Sequence, residues 1–103
     1  MVEKSIDDII QKYVEKICEN YEVHAIILFG SYAKGTNNDS SDIDIAVITD
    51  DFENDIIDEE LNLMRLRRKI DTRIEPHLIR IKDYMNASTP FIQEVIDTGI
   101  KVA

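Results

Sequence analysis

The sequence predicts a small α/β domain, because helix-type and strand-type hydrophobic patterns alternate along its 103 residues. Near the N-terminus, apolar residues recur with the spacing of one helix face, which predicts a helix over residues 3–20: Ile6, Ile9, Ile10, Tyr13, Val14 and Ile17. The apolar run 23–29 stops at Gly30 and predicts a strand buried on both faces. Alternation in residues 42–48 predicts a second strand that carries Asp42 and Asp44 on one face.

The second half of the chain continues the alternation of helices and strands. Acidic residues crowd the start of residues 54–69 and basic residues their end, which is the charge order that a helix dipole favours. A third strand is predicted over residues 72–79, where Pro76 lacks a ladder donor and indicates a sheet edge or a bulge. Thr89-Pro90 predicts the start of a last helix that Gly99 closes, and residues 100–102 are expected to add a short strand.

Charge and composition exclude several classes of protein. The chain has 12 Lys and Arg against 21 Asp and Glu, a net charge of -9, which repels the phosphate backbone of nucleic acids. One cysteine cannot form an internal disulfide, and neither a signal peptide nor a membrane-spanning apolar run is present. We therefore expect a single cytoplasmic domain over residues 1–103 that binds neither a membrane nor nucleic acid directly.

The most informative segment is Gly30-Ser31, ten intervening residues, and then Asp42-Ile43-Asp44. Carboxylates at i and i+2 of a strand share one face, and such a pair is costly unless a cation such as Mg²⁺ or Mn²⁺ lies between them. Gly-Ser at the mouth of a short helical turn offers N–H groups and a hydroxyl to phosphate oxygens. Each part alone is usually a polar strand face or an ordinary turn. Their combination in this order favours a site where phosphate and metal are neighbours.

This segment, GSYAKGTNNDSSDID, resembles the GSx10DxD signature of the nucleotidyltransferases similar to DNA polymerase beta, and especially of the minimal nucleotidyltransferase domains of prokaryotes. Residues 31–34 have room for at most one helical turn before Gly35, so the predicted order is α-β-(turn)-β-α-β-α, which matches the α-β-α-β-α-β core of that family. The segment from RIEPH at residues 73–77 to Thr98-Gly99-Ile100 resembles the end of many minimal members. The resemblance implies a small mixed β-sheet with flanking helices, formed by nearly the whole chain.

The resemblance also implies a reaction and assigns residues to it. A nucleoside monophosphate, AMP from ATP, would pass to an acceptor hydroxyl while pyrophosphate leaves, with two Mg²⁺ ions as cofactors. Asp42 and Asp44 are then metal ligands and catalytic residues, and Gly30 and Ser31 bind the phosphates of the nucleotide. Lys34 is expected to meet these phosphates as a point charge, although a solvated surface lysine fits its position equally well.

The family places a third carboxylate on a following strand. Asp71, Arg73, Glu75 and His77 share one parity on the predicted third strand, so parity does not choose between the two acids. We assign Glu75 as the third catalytic and metal-binding carboxylate, because it lies within the strand, and Asp71 is the alternative. For His77 a structural role is favoured over a contact with phosphate or acceptor.

The resemblance finally implies a partner. Larger relatives add a helical domain that grips the acceptor, whereas minimal members are commonly paired with a helical HEPN protein that is a ribonuclease toxin in several systems. There the small domain is the antitoxin and can transfer AMP to a tyrosine of the toxin. We therefore expect a protein adenylyltransferase with a HEPN-type partner; homo-oligomerisation is left open. The alternative is a non-catalytic nucleotide-binding module that neutralises or assembles with a helical partner by contact alone.

Overall fold

The computed structural model of the chain describes residues 4–38, 40–50 and 55–103, with five helices and four strands in this part of the sequence. The helices are α1 (Lys4–Asn20), α2 (Ser31–Lys34), α3 (Ile56–Leu66), α4 (Ile81–Met85) and α5 (Pro90–Thr98). The strands are β1 (Val23–Phe29), β2 (Ile43–Thr49), β3 (Ile74–Arg80) and β4 (Ile100–Lys101). The α-β-α-β-α-β order predicted from the sequence is confirmed over α1 to β3, and the short terminal strand is present.

The four strands form one mixed sheet in the order β3-β2-β1-β4. β1 is antiparallel to β2 and to β4, whereas β2 and β3 are parallel. β3 lies at a sheet edge, as Pro76 predicted, and Pro76 pairs with Ile45 of β2. An edge position tolerates proline because its missing N–H faces away from the only neighbouring strand.

Two apolar clusters cover the two faces of the sheet. On the face that we name the α1/α3 face, strand residues such as Ile45 and Val47 pack with α1 and with Leu63 of α3, and both strand side chains are at most 1% exposed. Tyr13 of α1 donates a hydrogen bond from its hydroxyl to the Leu63 carbonyl at 2.7 Å. On the opposite face, which we name the α5 face, the apolar strand residues pack against Ile92 and Val95 of α5.

Several element boundaries differ from the predicted ones for local reasons. The helix expected over residues 54–69 is α3, which starts after Asp55 because this carboxylate accepts a hydrogen bond from the Ile57 N–H at 2.8 Å. Residues 67–70 form turns instead of a last helical turn. β3 begins at Ile74 and not at residue 72, since Asp71 accepts a hydrogen bond from the Arg73 N–H in a turn before the strand. Residues 3 and 54 lie outside the described ranges.

The prediction that the first strand is buried on both faces is wrong for its first half. Only the last four residues of β1, from Ile26 to Phe29, are buried. The register between β1 and β2 shifts between Val23 and Ala25, a β-bulge that includes His24. His24 is exposed there, with Nε2 2.6 Å from Asp50 Oδ1. Helix α4 was not predicted, and in the described ranges no helix has the length and apolarity needed to cross a membrane.

Candidate active site

Strand register brings the two parts of the Gly-Ser and Asp-x-Asp motif together. Phe29, the last residue of β1, pairs with Asp44 of β2, and Asp44 pairs with Glu75 of β3. Directly paired residues on neighbouring strands project from the same face, so these three side chains form one row on the α5 face. The chain leaves β1 at this row, and Gly30 therefore lies beside the Asp44 carboxylate. Ser31 follows it as the first residue of α2.

Gly30 is required at this position for two reasons. Its φ of +76° and ψ of −153° describe a backbone conformation that residues with a Cβ rarely adopt. A Cβ at residue 30 would also overlap the carboxylate of Asp44. The absence of a side chain lets the backbone pass directly over the acid before α2 starts at Ser31. Gly35, with φ +76° and ψ 18°, closes α2 in the left-handed conformation.

Asp44, Glu75 and His77 form a compact set of possible metal ligands. One ligand atom from each of these side chains lies within 4.8 Å of the other two. The side chains of Asp44 and His77 are 23% and 27% exposed, so the set is recessed but open to solvent. Asp42, just before β2, is exposed and close enough for protonated Glu75 to donate a hydrogen bond to it. The predicted residues Asp42, Asp44 and Glu75 are thus brought to one place.

The acids of this set are held in an environment that disfavours their charge. Burial raises the pKa of the Asp44 carboxyl; the neighbouring His77 opposes this shift, and the charge of Asp42 adds to it. The pKa of Glu75 is also raised, first by burial and then by its hydrogen bond to Asp42. A divalent cation between these oxygens would relieve both effects, and carboxylate oxygens are ligands that Mg²⁺ and Mn²⁺ accept. The donor set therefore fits the metal that the resemblance implies.

Asp71, the alternative third carboxylate, lies in a different environment. Its Oδ2 is 2.8 Å from Nη2 of Arg73, and its Oδ1 accepts from the Arg73 backbone N–H. The hydrogen bonds from the Arg73 side chain lower the pKa of Asp71, opposite to the shift of Glu75. Arg73 Nη1 also donates to the Tyr32 hydroxyl at 3.5 Å. These contacts make Asp71 a structural anchor of the turn before β3.

Lys34 ends α2 and forms an ion pair across to α5. Its Nζ is 3.2 Å from Glu94 Oε1, and both side chains are nearly half exposed. The charge of Glu94 also acts on Asp44, where it contributes to the raised pKa. Glu94 therefore faces the region between Lys34 and the acids, although no sequence pattern indicated that α5 would contribute a charged group there.

The position of His77 next to the acids was the least predictable from the sequence. Its Nε2 lies 3.6 Å from Asp44 Oδ1, and its ring contacts the rings of Phe29 and Phe91 with centroid separations of 5.3 and 5.2 Å. The signal available in the sequence was its shared parity with Glu75 two residues earlier. The contribution of Phe91 had no such signal, because it comes from a helix whose docking position is set by the whole α5 face.

The match to known families agrees with this geometry. Residues 11–103 match the family model described as "Polymerase beta, Nucleotidyltransferase". The chain therefore belongs to the polymerase beta nucleotidyltransferase family. MJ1379 of Methanocaldococcus jannaschii, a candidate protein adenylyltransferase, is 34% identical over 95 residues, which are 92% of this chain and 91% of that protein.

A second relative is the protein adenylyltransferase MntA of Shewanella oneidensis. It is 36% identical over 78 residues, which are 76% of this chain and 52% of MntA. A shorter match, to the candidate protein adenylyltransferase MJ1215 of Methanocaldococcus jannaschii, covers 41% of this chain and 49% of that relative. The chain thus spans about half the length of these two relatives.

Solved structures show the same fold. A crystal structure of a toxin-antitoxin with AMP-PNP superposes with a TM-score of 0.67 and 29% identity, over 90% of this chain and 71% of that one. A crystal structure of a candidate nucleotidyltransferase from Sulfolobus solfataricus superposes with a TM-score of 0.63 at 17% identity, over 98% and 87% of the two chains. The second likeness concerns the fold alone.

Proposed function

We propose that this chain is a metal-dependent protein adenylyltransferase that moves AMP from ATP to a hydroxyl of a helical partner protein, as the antitoxin of a toxin-antitoxin pair. The observation that carries the proposal is that Gly30, at the end of β1, lies against Asp44, which is paired with Glu75 on the same face of the sheet. The adenylyltransferase relatives and the toxin-antitoxin structure with AMP-PNP support the choice of nucleotide and partner.

Each of the site residues predicted from the sequence has a proposed role. Gly30 and Ser31 bind the phosphates, since a backbone without a Cβ at residue 30 lets a ligand approach the acids closely. Asp42, Asp44 and Glu75 hold the divalent ions, proposed as two Mg²⁺. When bound, these ions neutralise the triphosphate and activate the acceptor oxygen. Lys34, released from Glu94, contributes a positive charge to the phosphates.

The partner is expected to be a separate protein with a basic surface. The net charge of -9 favours association with a cationic protein, at a rate that falls as salt rises. The same charge disfavours transfer to nucleic-acid ends. We therefore assign the acceptor as a side-chain hydroxyl of a HEPN-type helical protein, with tyrosine as the residue implied by the family resemblance.

The proposal is tested by measuring whether labelled AMP is transferred from ATP to a protein. The chain is incubated with Mg²⁺, ATP labelled at its α-phosphate, and the HEPN-type protein encoded in the same genome, and labelled protein is located by mass spectrometry. We expect AMP on a hydroxyl of the partner with the parent chain and none with Asp44→Asn. Asp50→Asn is the charge-matched control, because Asp50 is exposed and follows β2 at its opposite end.

Two results contradict the proposal in different ways. Binding of ATP without any labelled protein would favour the non-catalytic module that acts on its partner by contact. Rapid labelling of a small molecule such as an aminoglycoside, with no labelled protein in a lysate of its own cells, would assign a different acceptor class.

A further inference from the structure

His77 lies among the acids of the site in an orientation that suits a metal ligand. It projects from β3 two residues after Glu75, on the same face, and pairs in register with Ala46, which is two residues after Asp44. Its Nε2 is 3.6 Å from Asp44 Oδ1, and ligand atoms of Asp44, Glu75 and His77 all lie within 4.8 Å of one another. A single cation could therefore contact two oxygens and one nitrogen.

Two phenyl rings restrict the imidazole of His77. Its ring is tilted by 62° against Phe29 and by 49° against Phe91, and these two phenyl rings meet edge to face at 5.5 Å. Phe29 is 5% exposed, so one wall of this aromatic cluster belongs to the packed α5 face. A ring held in this way loses little further freedom on binding a cation, which is the property of a preorganised ligand. The phenyl rings also offer it no competing hydrogen-bond acceptor.

We infer that His77 is a nitrogen ligand of the divalent cation in this site, and that the site consequently prefers a first-row transition ion of the Mn²⁺ type to Mg²⁺. Mg²⁺ strongly favours oxygen ligands, whereas affinity for imidazole rises across the first-row transition ions. Two carboxylates with one imidazole combine both ligand types, and Mn²⁺ accepts the oxygens as Mg²⁺ does. The inference rests on the proposed function only in that the acids hold a cation.

A contrasting role for His77 gives the opposite result. A protonated imidazole beside Asp44 would act as a built-in counter-ion that competes with any metal for the carboxylate. In that case removal of His77 would strengthen the binding of Mg²⁺ and Mn²⁺ alike. Ligation instead requires that removal weakens the binding of Mn²⁺ selectively.

The test uses the full chain without nucleotide and Mn²⁺ as the probe. Mn²⁺ affinity is measured by electron paramagnetic resonance and Mg²⁺ affinity by competition against bound Mn²⁺. We expect His77→Phe, which keeps an aromatic ring beside Phe29 and Phe91, to weaken Mn²⁺ binding by roughly tenfold or more and Mg²⁺ binding by less than about threefold. His24→Gln is the matched control, because His24 lies near the start of β1, at the opposite end of the strand from Phe29 and the acids, and its loss should change neither affinity.

A spectroscopic readout on the parent chain tests ligation without any variant. Electron spin echo modulation of bound Mn²⁺ should show coupling to an imidazole nitrogen, and this coupling should be absent in His77→Phe and present in His24→Gln. Bound Mn²⁺ without nitrogen coupling, or equal losses of both metals in His77→Phe, would overturn the inference. These measurements need no transfer reaction, so a failure of adenylylation leaves them interpretable, and a failure of nitrogen ligation leaves adenylylation untouched.

Discussion

The two faces of the sheet use the same strands for different purposes. On the α1/α3 face, Ile43, Ile45 and Val47 of β2 are at most 1% exposed and pack in one continuous apolar layer. On the α5 face, the apolar layer ends at Ala46, and Asp44 follows it at the end of the sheet. Because side chains alternate along a strand, residues 44 and 45 are neighbours in sequence but belong to different layers.

This contrast explains how so small a domain tolerates a cluster of acids. Burial disfavours the charge of Asp44 and Glu75, as their raised pKa values indicate, and each of them reduces the stability of the metal-free chain at neutral pH. The opposite face provides the compensating burial of apolar area, at about 25 cal/mol per Å². The residues that stabilise the fold and the residues proposed to bind metal therefore lie on opposite faces of the same strand. A substitution on one face should change mainly the free energy of unfolding, and a substitution at the adjacent position on the other face mainly the transfer rate.

The largest effect is expected at Asp44. Asp44→Asn keeps the shape of the side chain but removes a charge that the proposed reaction requires, so the rate of AMP transfer should fall by about a thousandfold or more. The free energy of unfolding without metal should stay the same or rise slightly. Initial rates and urea denaturation measure the two properties. A rate within tenfold of the parent would refute the proposed role of Asp44.

The neighbouring residue should show the reverse pattern. Ile45→Ala deletes a side chain that is 1% exposed and leaves a cavity in the α1/α3 face, which should lower the free energy of unfolding by about 2–5 kcal/mol. The transfer rate of the folded fraction should change less than about threefold, because no atom of Ile45 faces the site. Urea denaturation and rates measured well below the melting temperature test both statements. A large loss of rate in fully folded protein would show that the two faces are coupled.

Glu75 in β3 and Asp71 in the turn before it allow the same comparison between catalysis and stability within one short segment. Glu75→Gln should lower kcat by about a hundredfold with a much smaller change in nucleotide affinity, since its proposed role is in activating the attacking oxygen. Asp71→Asn should leave kcat nearly unchanged and destabilise the fold by about 1 kcal/mol, because it weakens the anchor to Arg73. Single-turnover rates, nucleotide titrations and thermal melts separate these effects. The opposite assignment, with kcat lost in Asp71→Asn only, would make Asp71 the third carboxylate.

The elements were predictable because their signals are local. Alternation on β2, the Thr89-Pro90 cap and the proline at the sheet edge all reflect preferences of a few neighbouring residues, and each was confirmed. Two of the differences depend on partners that lie on another element. The exposure of His24 follows from a bulge against β2, and the end of α3 at Leu66 precedes a turn in which Arg67 donates to the Ile74 carbonyl of β3. Such partners cannot be read from the residue spacing of one element.

The candidate site also has a part that was predictable from local sequence and a part that was not. The Gly-Ser and Asp-x-Asp pair is a local pattern, and strand register does bring its parts together. The alternation of side chains along the strand did not distinguish Asp71 from Glu75. In the structure Asp71 forms an ion pair with Arg73, and Glu75 pairs with Asp44 on the neighbouring strand. The aromatic environment of His77 depends on α5, which is distant in sequence from β1 and β3.

A smaller effect is expected where α5 meets α2. Glu94→Gln removes the ion-pair partner of Lys34 and a negative charge that acts on Asp44, so ATP affinity should rise by a few-fold. Lys34→Met should lower ATP affinity by about threefold to tenfold if this residue contacts phosphate. Isothermal titration with ATP and Mg²⁺ measures both. Lys34→Met with unchanged affinity would make Lys34 a surface lysine paired only with Glu94.

The smallest effect concerns pH, and its sign follows from the raised pKa of Asp44. In the folded chain this carboxyl holds its proton at a higher pH than in the unfolded chain, so the folded state binds more protons between its ordinary pKa near 4 and the raised value. Above the raised pKa, the charge of Asp44 lowers the free energy of unfolding by its full amount. As pH falls through this pKa, the carboxyl takes up a proton and the free energy of unfolding rises. Asp44→Asn has no such penalty at any pH.

The melting temperatures of the two proteins should consequently converge on acidification. Without divalent ions, Asp44→Asn should melt higher than the parent at pH 7 by less than about 5 °C, since ~1 kcal/mol shifts Tm by about 4–8 °C in a domain of this size. The difference should shrink as pH falls through the raised pKa and vanish below about pH 4, the ordinary pKa of the side chain, where Asp44 is neutral in both the folded and the unfolded chain. Adding Mn²⁺ at pH 7 should raise the Tm of the parent only. A parent that melts higher than Asp44→Asn at pH 7 without metal would mean that attraction to His77 outweighs the burial of Asp44, and the acidic end of the α5 face would then be a stabilising feature.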